Sequence, residues 1–152
     1  MEKLHFSIMI HAPKQKVWET MLNDETYRQW TDIFNPSGGS SYFQGKWETG
    51  SNMRFIGTDK DGNMGGMISR IKEARPYEFV SIEHLGEIKN GKETIWTKEE
   101  KGGAEALENY TLNEKDGGTE LLIDIDTTDE FKQMFEGMWP KALATLKTLS
   151  EK

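Results

Sequence analysis

Asp129–Leu149, with the sequence DEFKQMFEGMWPKALATLKTL, decides the fold of this chain. Its apolar residues recur in steps of three and one, which is the pattern of one face of an amphipathic helix. They are Phe131, Met134, Phe135, Met138, Trp139, Ala142, Leu143, Leu146 and Leu149. Thr127 and Glu130 fit a capping box that would begin the helix. So wide an apolar face needs a large surface to cover it, and the strands that precede it are the obvious cover.

Pro140 interrupts this helix pattern. Proline removes one intrahelical hydrogen bond and crowds the carbonyl group of Glu136, and Gly137 weakens the same turn. We therefore predict a kink near Gly137–Pro140. A break, with Pro140 opening a second helix, is the alternative, but the apolar stripe keeps its phase across the proline and favours the kink. Such a kink would either shape a cavity or only follow the curvature of a sheet.

Composition limits the class of protein. The 152 residues suit one domain spanning 1–152, and the net charge of −7 argues against binding to nucleic acid or to an anionic membrane surface. There is no cysteine, so disulfides and cysteine-bound zinc are excluded. The N-terminus lacks the apolar segment of a signal peptide, and no segment is long and apolar enough to cross a bilayer. A soluble cytoplasmic protein is the default expectation, as a monomer or weak homodimer.

The N-terminal segment predicts a strand and two short helices. Apolar residues in alternate positions indicate a strand with one buried face, at Leu4, Phe6, Ile8 and Ile10. Ala12-Pro13 opens a helix, because proline is tolerated at the first helical position. The apolar stripe of this helix is Val17, Trp18, Met21 and Leu22. Asn23 or Asp24 caps a second short helix that carries Tyr27 and Trp30 inward.

The middle of the chain reads as strands joined by short turns. The predicted strands are a short one within 35–51, then Met53–Thr58, Met64–Ala74, Glu78–Ile88, Glu105–Asn113 and Thr119–Thr127. Hairpin turns are predicted at Asp61-Gly62, Asn90-Gly91 and Asp116-Gly117-Gly118. Gly65-Gly66 indicates a bulge or a close approach of backbone. Residues 92–105 are highly charged and are left unassigned.

The predicted fold class is therefore α+β. An antiparallel, curved sheet of six to seven strands wraps around the long C-terminal helix, and two short helices follow the first strand. This is a helix-grip architecture in the order β-α-α-β(5–6)-α.

At this point the chain resembles a known superfamily, the START-like or Bet v 1-like (SRPBCC) helix-grip domains. Within it the chain is similar to the branch named for the activator of Hsp90 ATPase homologue 1. The residues that carry the resemblance are Ala12-Pro13 to Val17-Trp18, Trp30, Trp47-Glu48-Thr49-Gly50-Ser51 with Arg54-Phe55, Gly66-Met67-Ile68 with Ile71, Arg75-Pro76, Glu108-Asn109-Tyr110, Gly118-Thr119, and Trp139 to Leu143 with Leu146 and Lys147. They span nearly the whole chain.

The resemblance implies an apolar cavity between the concave face of the sheet and the last helix, and a role in stress response. The residues expected to bind a ligand there are Trp30, Phe43, Phe55, Met67, His84, Trp96, Glu108, Tyr110, Phe135, Met138 and Trp139. Aromatic rings and methionines suit such a wall, although several could be ordinary core residues.

Three polar residues are candidates to face the cavity. His84 shares the parity of Val80 and Ile82 in its strand, and Glu108 shares the parity of Tyr110. A buried carboxylate beside an imidazole could do acid–base chemistry. The alternative is that both lie hydrated or salt-bridged at the rim of the cavity.

Other chemistry has little support in the sequence. There is no nucleophile elbow, phosphate loop or dinucleotide fingerprint. Asp59-Lys60-Asp61-Gly62-Asn63 looks slightly like a calcium loop, but Arg70 stands where a bidentate glutamate is needed, so a hairpin turn is favoured. Asp124, Asp126 and Asp129 read as a solvated face. We expect no cofactor and no metal, and we assign no catalytic residue.

Three functions remain open. The first is binding of a small, mostly apolar molecule, lipid-like or aromatic, in the cavity. The second is a partner-binding module, the Hsp90 co-chaperone role that the family name implies. The third is a cyclase-like or hydrolase-like enzyme that uses His84, Glu108 and Tyr110.

Overall fold

A computed structural model describes residues 2–101 and 103–152. In these residues eight strands form one sheet, and three α-helices and a short 3₁₀ helix surround its concave face. The strands are β1 (Glu2–Ile10), β2 (Gly38–Gln44), β3 (Asn52–Asp59), β4 (Met64–Arg75), β5 (Phe79–Lys89), β6 (Lys92–Ile95), β7 (Ala106–Lys115) and β8 (Gly118–Thr127). The helices are α1 (Lys14–Leu22), α2 (Asp24–Trp30), the 3₁₀ helix (Asp32–Phe34) and α3 (Asp129–Ser150).

The sheet is antiparallel, in the order β1-β8-β7-β5-β4-β3-β2. One edge of β5 carries two partners, because Phe79–His84 pairs with β7 and Gly86–Lys89 pairs with β6. The predicted α+β helix-grip class is confirmed. The described residues contain one strand more than the six to seven expected, and the additional strand is β6. Its four residues are all exposed, so no alternating pattern revealed it.

The C-terminal half of α3 packs against the concave face of the sheet. Trp139, Ala142, Leu143 and Leu146 are buried there with residues of β1, α1, β5, β7 and β8. The N-terminal half leaves part of its apolar stripe uncovered, since Phe131 and Met134 are 44% and 41% exposed. The helix runs through Pro140 as one element, so the alternative of a break at that residue is wrong. The kink itself stays a prediction.

The predicted capping box of α3 is wrong. Thr127 is the last residue of β8 and pairs with Glu2 of β1, so it is not available as the cap. The N-cap is Thr128, whose side chain makes no capping hydrogen bond. The first helix also begins one residue late, at Lys14, with Pro13 as its N-cap. Asn23 caps α2 as predicted, because its side-chain oxygen accepts a hydrogen bond from the Glu25 N–H.

The predicted hairpin turns differ in length. Asn90-Gly91 and Asp116-Gly117 are two-residue turns in which every residue has positive φ, between 49° and 80°. That conformation matches the twist of the flanking strands. Gly118, which was predicted in the second turn, instead begins β8 and pairs with Lys115. The turn at Asp61-Gly62 is longer and spans the four residues 60–63. Its shape follows from Asp59, whose carboxylate accepts hydrogen bonds from the N–H groups of Asp61 and Asn63.

Candidate functional site

A cavity of about 720 Å³ lies between the concave face of the sheet and the N-terminal half of α3. Helix α2 and the 3₁₀ helix close it on the side of β2. Its lining is mostly apolar, and Phe131 and Met134 lie at its mouth, where they line the cavity and remain exposed to solvent. The passage from packed core to cavity occurs near Trp139, which the helix places at the boundary.

The structure brings most of the predicted binding residues to this cavity. Nine of the eleven line it: Trp30, Phe55, Met67, His84, Trp96, Glu108, Tyr110, Phe135 and Trp139. Phe43 and Met138 lie outside the lining. The ring of Phe43 packs edge-on against Tyr27 and Trp47, with centroids 5.1 and 5.3 Å apart, so it supports the wall from behind.

Three neighbouring strands carry a polar cluster, of which His84, Glu108 and Tyr110 line the cavity and Ser69 is buried outside the lining. Ser69 of β4 and His84 of β5 are register partners, and His84 Nδ1 lies 2.7 Å from Ser69 Oγ. Glu108 of β7 lies 3.0 Å from His84 Nε2 through its Oε1. Tyr110 donates its hydroxyl proton to Oε2 of the same carboxylate. The four side chains therefore form one connected hydrogen-bond chain, Ser69–His84–Glu108–Tyr110.

Glu108 is the member of this chain that can reach a ligand. Both ring nitrogens of His84 have partners inside the cluster, so in this geometry the imidazole orients Glu108 and is not free to exchange a proton with a ligand. The Glu108 side chain is 20% exposed, compared with 11% for His84. The carboxylate accepts two hydrogen bonds and has capacity for more. The cluster therefore presents the Glu108 carboxylate to the cavity as a hydrogen-bond acceptor whose position is fixed by His84 and Tyr110.

The two tyrosines next to Glu108 stay protonated at neutral pH. Burial raises the pKa of Tyr110 well above its ordinary value, and the charge of Glu108 and the hydrogen bond to it raise this pKa further. Burial, and then the charge of Glu108, also raise the pKa of Tyr27. Ionising either phenol would place a second negative charge beside a carboxylate in an apolar environment.

We expect stability to fall steeply in alkaline solution because of these two residues. A tyrosine whose pKa is raised by folding contributes stability that is complete below the unfolded-state pKa of about 10 and is lost as the pH rises above it. The slope should approach about 1.4 kcal/mol per pH unit for each tyrosine. Urea unfolding measured across this range, with tyrosinate absorbance as a second signal, tests this.

The control for this titration is the double variant Tyr27→Phe/Tyr110→Phe. It removes both phenols and should flatten the alkaline slope relative to the natural chain. An equal slope in both proteins would contradict the assignment, as would tyrosinate absorbance from Tyr27 and Tyr110 that appears before the protein unfolds.

Sequence reasoning missed part of the aromatic wall. Phe34 lies in the 3₁₀ helix, and its ring is 4.9 Å from that of Trp139. Tyr27 was expected to point inward, but it was not assigned to the site; it lines the cavity three residues before Trp30 on α2. The spacing of three along a helix was the available signal for Tyr27. No periodic pattern marked Phe34, because so short an element has no repeating face.

The remaining acidic candidates have ordinary structural roles. Asp124 and Asp126 pair with His5 and Lys3 of β1 across the β1–β8 ladder. The segment that looked slightly like a calcium loop forms the β3–β4 turn. Among residues 2–101 and 103–152, no three acidic or histidine side chains group closely enough to hold a metal ion. In the same described ranges, no helix combines the length and the apolar character needed to span a membrane.

Comparisons with known proteins agree with the helix-grip topology. The family model "Activator of Hsp90 ATPase homolog 1-like protein" matches residues 11–151. No curated protein sequence matches the chain.

Solved structures with the same fold are similar over most of their length. The Aha1 dimer from Colwellia psychrerythraea is 17% identical, with a TM-score of 0.68 over 99% of this chain and 97% of that one. A protein from Nitrosomonas europaea is 16% identical, with a TM-score of 0.69 over 97% and 92%. CalU16 from Micromonospora echinospora is 17% identical, with a TM-score of 0.64 over 97% and 75%. At these identities the likeness shows a shared fold.

Proposed function

Because this chain belongs to the family of activator of Hsp90 ATPase homolog 1-like proteins, we propose that it acts as a single domain that binds a small, mostly apolar molecule in the cavity under α3. One observation carries the proposal: the N-terminal half of α3 turns its apolar stripe toward a cavity of about 720 Å³ instead of toward packed core. Ligand sites commonly enclose about 300–1,000 Å³ and are mostly apolar.

The uncovered stripe also supplies a driving force for binding. Phe131, Met134 and Phe135 line the cavity, and the first two are exposed to solvent there. A ligand that removed roughly 200 Å² of apolar surface from water would gain about 5 kcal/mol before the entropic losses of association. This gain favours an apolar ligand, and contacts with the rest of the largely apolar lining add to it.

A neutral fluorescent probe, N-phenylnaphthylamine, tests the proposal. We expect saturable binding at one site per chain and a higher Tm in its presence. At a concentration about 100 times the Kd, the ligand should stabilise the fold by about 2.7 kcal/mol, which raises the Tm by roughly 5–10 °C for a chain of this length. Native mass spectrometry gives the stoichiometry.

The matched variants are Phe135→Ser and Leu149→Ser. Both residues are half-buried and apolar on α3, but only Phe135 lines the cavity. We expect Phe135→Ser to weaken probe binding about tenfold or more, because a buried aromatic side chain contributes about 1.5–3 kcal/mol. Leu149→Ser should lower stability without changing the Kd. Equal affinity in the two variants would count against the cavity as the binding site.

A protein-partner module is the second candidate. The observation that favours it is the same exposed pair, Phe131 and Met134, since apolar side chains at a helix surface also mark protein interfaces. The family name refers to an activator of Hsp90, and one structural relative is a dimer. Failure of the probe and of aliphatic and aromatic compounds to shift the Tm would favour this candidate over ligand binding.

A further inference from the structure

We propose that the ligand is an organic cation, an apolar body with a protonated amine that pairs with Glu108. The inference rests on the proposed ligand-binding function and specifies the chemistry of the ligand. The feature behind it is a carboxylate held on the floor of a cavity whose walls are largely aromatic.

Glu108 is positioned in advance for such a contact. His84 holds one carboxylate oxygen at 3.0 Å, and Tyr110 donates to the other. Two ionised oxygens offer about four acceptor sites, so two remain for a ligand. Because the side chain is already fixed by two neighbours, little rotamer entropy remains to be lost when an amine binds.

Apart from His84, which carries a positive charge only when its imidazole is protonated, the described residues of the cavity floor provide no counterion for Glu108. In the described lining the lysines are Lys89 and Lys101, and arginine does not contribute. Lys89 lies seven residues along β5 from Ile82, the register partner of Glu108, which is roughly 20 Å of strand. Lys101 lies in the loop before β7. A partly buried carboxylate is costly without a partner charge, and an ammonium group would supply that charge.

A connected group of aromatic rings begins at Tyr110, beside Glu108, and continues along the cavity wall. Tyr110 contacts Glu108 directly, and the ring of Trp139 lies 6.2 Å from that of Tyr110. Phe34 and Trp30 pack on other parts of Trp139, at 4.9 and 6.0 Å. Ring faces carry negative electrostatic potential and attract cations. A cation at Glu108 would therefore lie next to a carboxylate and to Tyr110, in a cavity whose walls are largely aromatic.

The charged residues in the rest of the cavity lining also favour a positively charged ligand. Asp59, Glu87 and Glu100 belong to the lining, compared with the two lysines, and Asp126 also belongs to it but pairs with Lys3. The net charge of the chain is −7. Such a field raises the local concentration of cations and repels anions, and salt weakens the effect. An apolar acid would meet repulsion at the lining and at Glu108.

Three indole compounds of nearly equal shape test the sign of the ligand: tryptamine is a cation at neutral pH, tryptophol is neutral and indoleacetate is an anion. By calorimetry, we expect tryptamine to bind about tenfold more tightly than tryptophol, and indoleacetate to bind most weakly. Glu108→Gln should bring tryptamine to the affinity of tryptophol. Glu114→Gln, on the same strand but exposed and outside the cavity, should leave the ranking unchanged.

The outcomes separate this inference from the proposed function. Equal affinities for tryptamine and tryptophol, or tightest binding of indoleacetate, would overturn the cation assignment. Saturable binding of N-phenylnaphthylamine in the same protein would still support the ligand-binding function. No binding of any indole compound would overturn the cation assignment, and no binding of the neutral probe would overturn the function as well. The order of affinities of the three indole compounds is measured on the natural chain, so this test remains valid even if Glu108→Gln folds poorly.

Discussion

Replacing Trp139 with alanine is expected to lower the free energy of unfolding by about 3–5 kcal/mol. The residue is 4% exposed, and its ring packs near those of four other residues, Phe6, Trp30, Phe34 and Tyr110. Its ring stacks on Phe6 of β1 at 5.9 Å and lies 4.9 Å from Phe34. The substitution removes these contacts and extends the cavity into the core, which relaxes only partly around the lost ring. Urea unfolding followed by circular dichroism measures the loss.

Phe131→Ala is the control on the same helix. Phe131 is apolar and aromatic, but it lies exposed at the mouth of the cavity, so we expect a loss below about 1 kcal/mol. A loss of similar size in both variants would show that Trp139 does not mark the boundary between core and cavity. Trp139→Phe keeps a ring at this position. Unchanged affinity for N-phenylnaphthylamine in Trp139→Phe and Trp139→Ala would remove Trp139 from the binding surface.

The periodicity of the sequence predicted the two largest features of the fold. The spacing of apolar residues in 129–149 identified α3 and the sheet that covers it. Alternation along β5 and β7 also placed His84 and Glu108 on the concave face. These predictions succeeded because a period of two or of 3.6 is a local property of the backbone.

The contacts that complete the site depend on register, which the sequence does not display. Ser69 faces His84 because the β4–β5 register shifts between Ile68 and Ser69, and no residue pattern marks that shift. Phe43 and Phe55 are aromatic residues on adjacent strands, but only Phe55 lines the cavity. Pattern alone distinguishes a buried face from an exposed one. It does not distinguish a ring that lines a cavity from one that packs behind it.

Gly66→Ala is the second substitution with a large expected effect. Gly66 pairs with Ile56 of β3 and with Ile88 of β5, and its φ of 146° is one that other residues rarely adopt. A Cβ atom at this position would lie 1.9 Å from the carbonyl oxygen of Phe55. The sequence suggested a bulge or a close approach at Gly65-Gly66, and the structure has the close approach at Gly66.

The β3 backbone cannot yield to this Cβ atom without disrupting the ladder that holds Phe55 against the cavity. Strain in φ and the steric overlap together should cost about 2–6 kcal/mol. Gly137→Ala is the control. Gly137 lies within α3, and a Cβ atom there would have no neighbouring atom within 4 Å. Alanine at this position should stabilise the helix by about 0.5–1 kcal/mol. Chemical unfolding of both variants gives the comparison. If Gly66→Ala were as stable as the natural chain, β3 and β4 could not approach so closely in solution, and the cavity wall at Phe55 and Met67 would have a different shape.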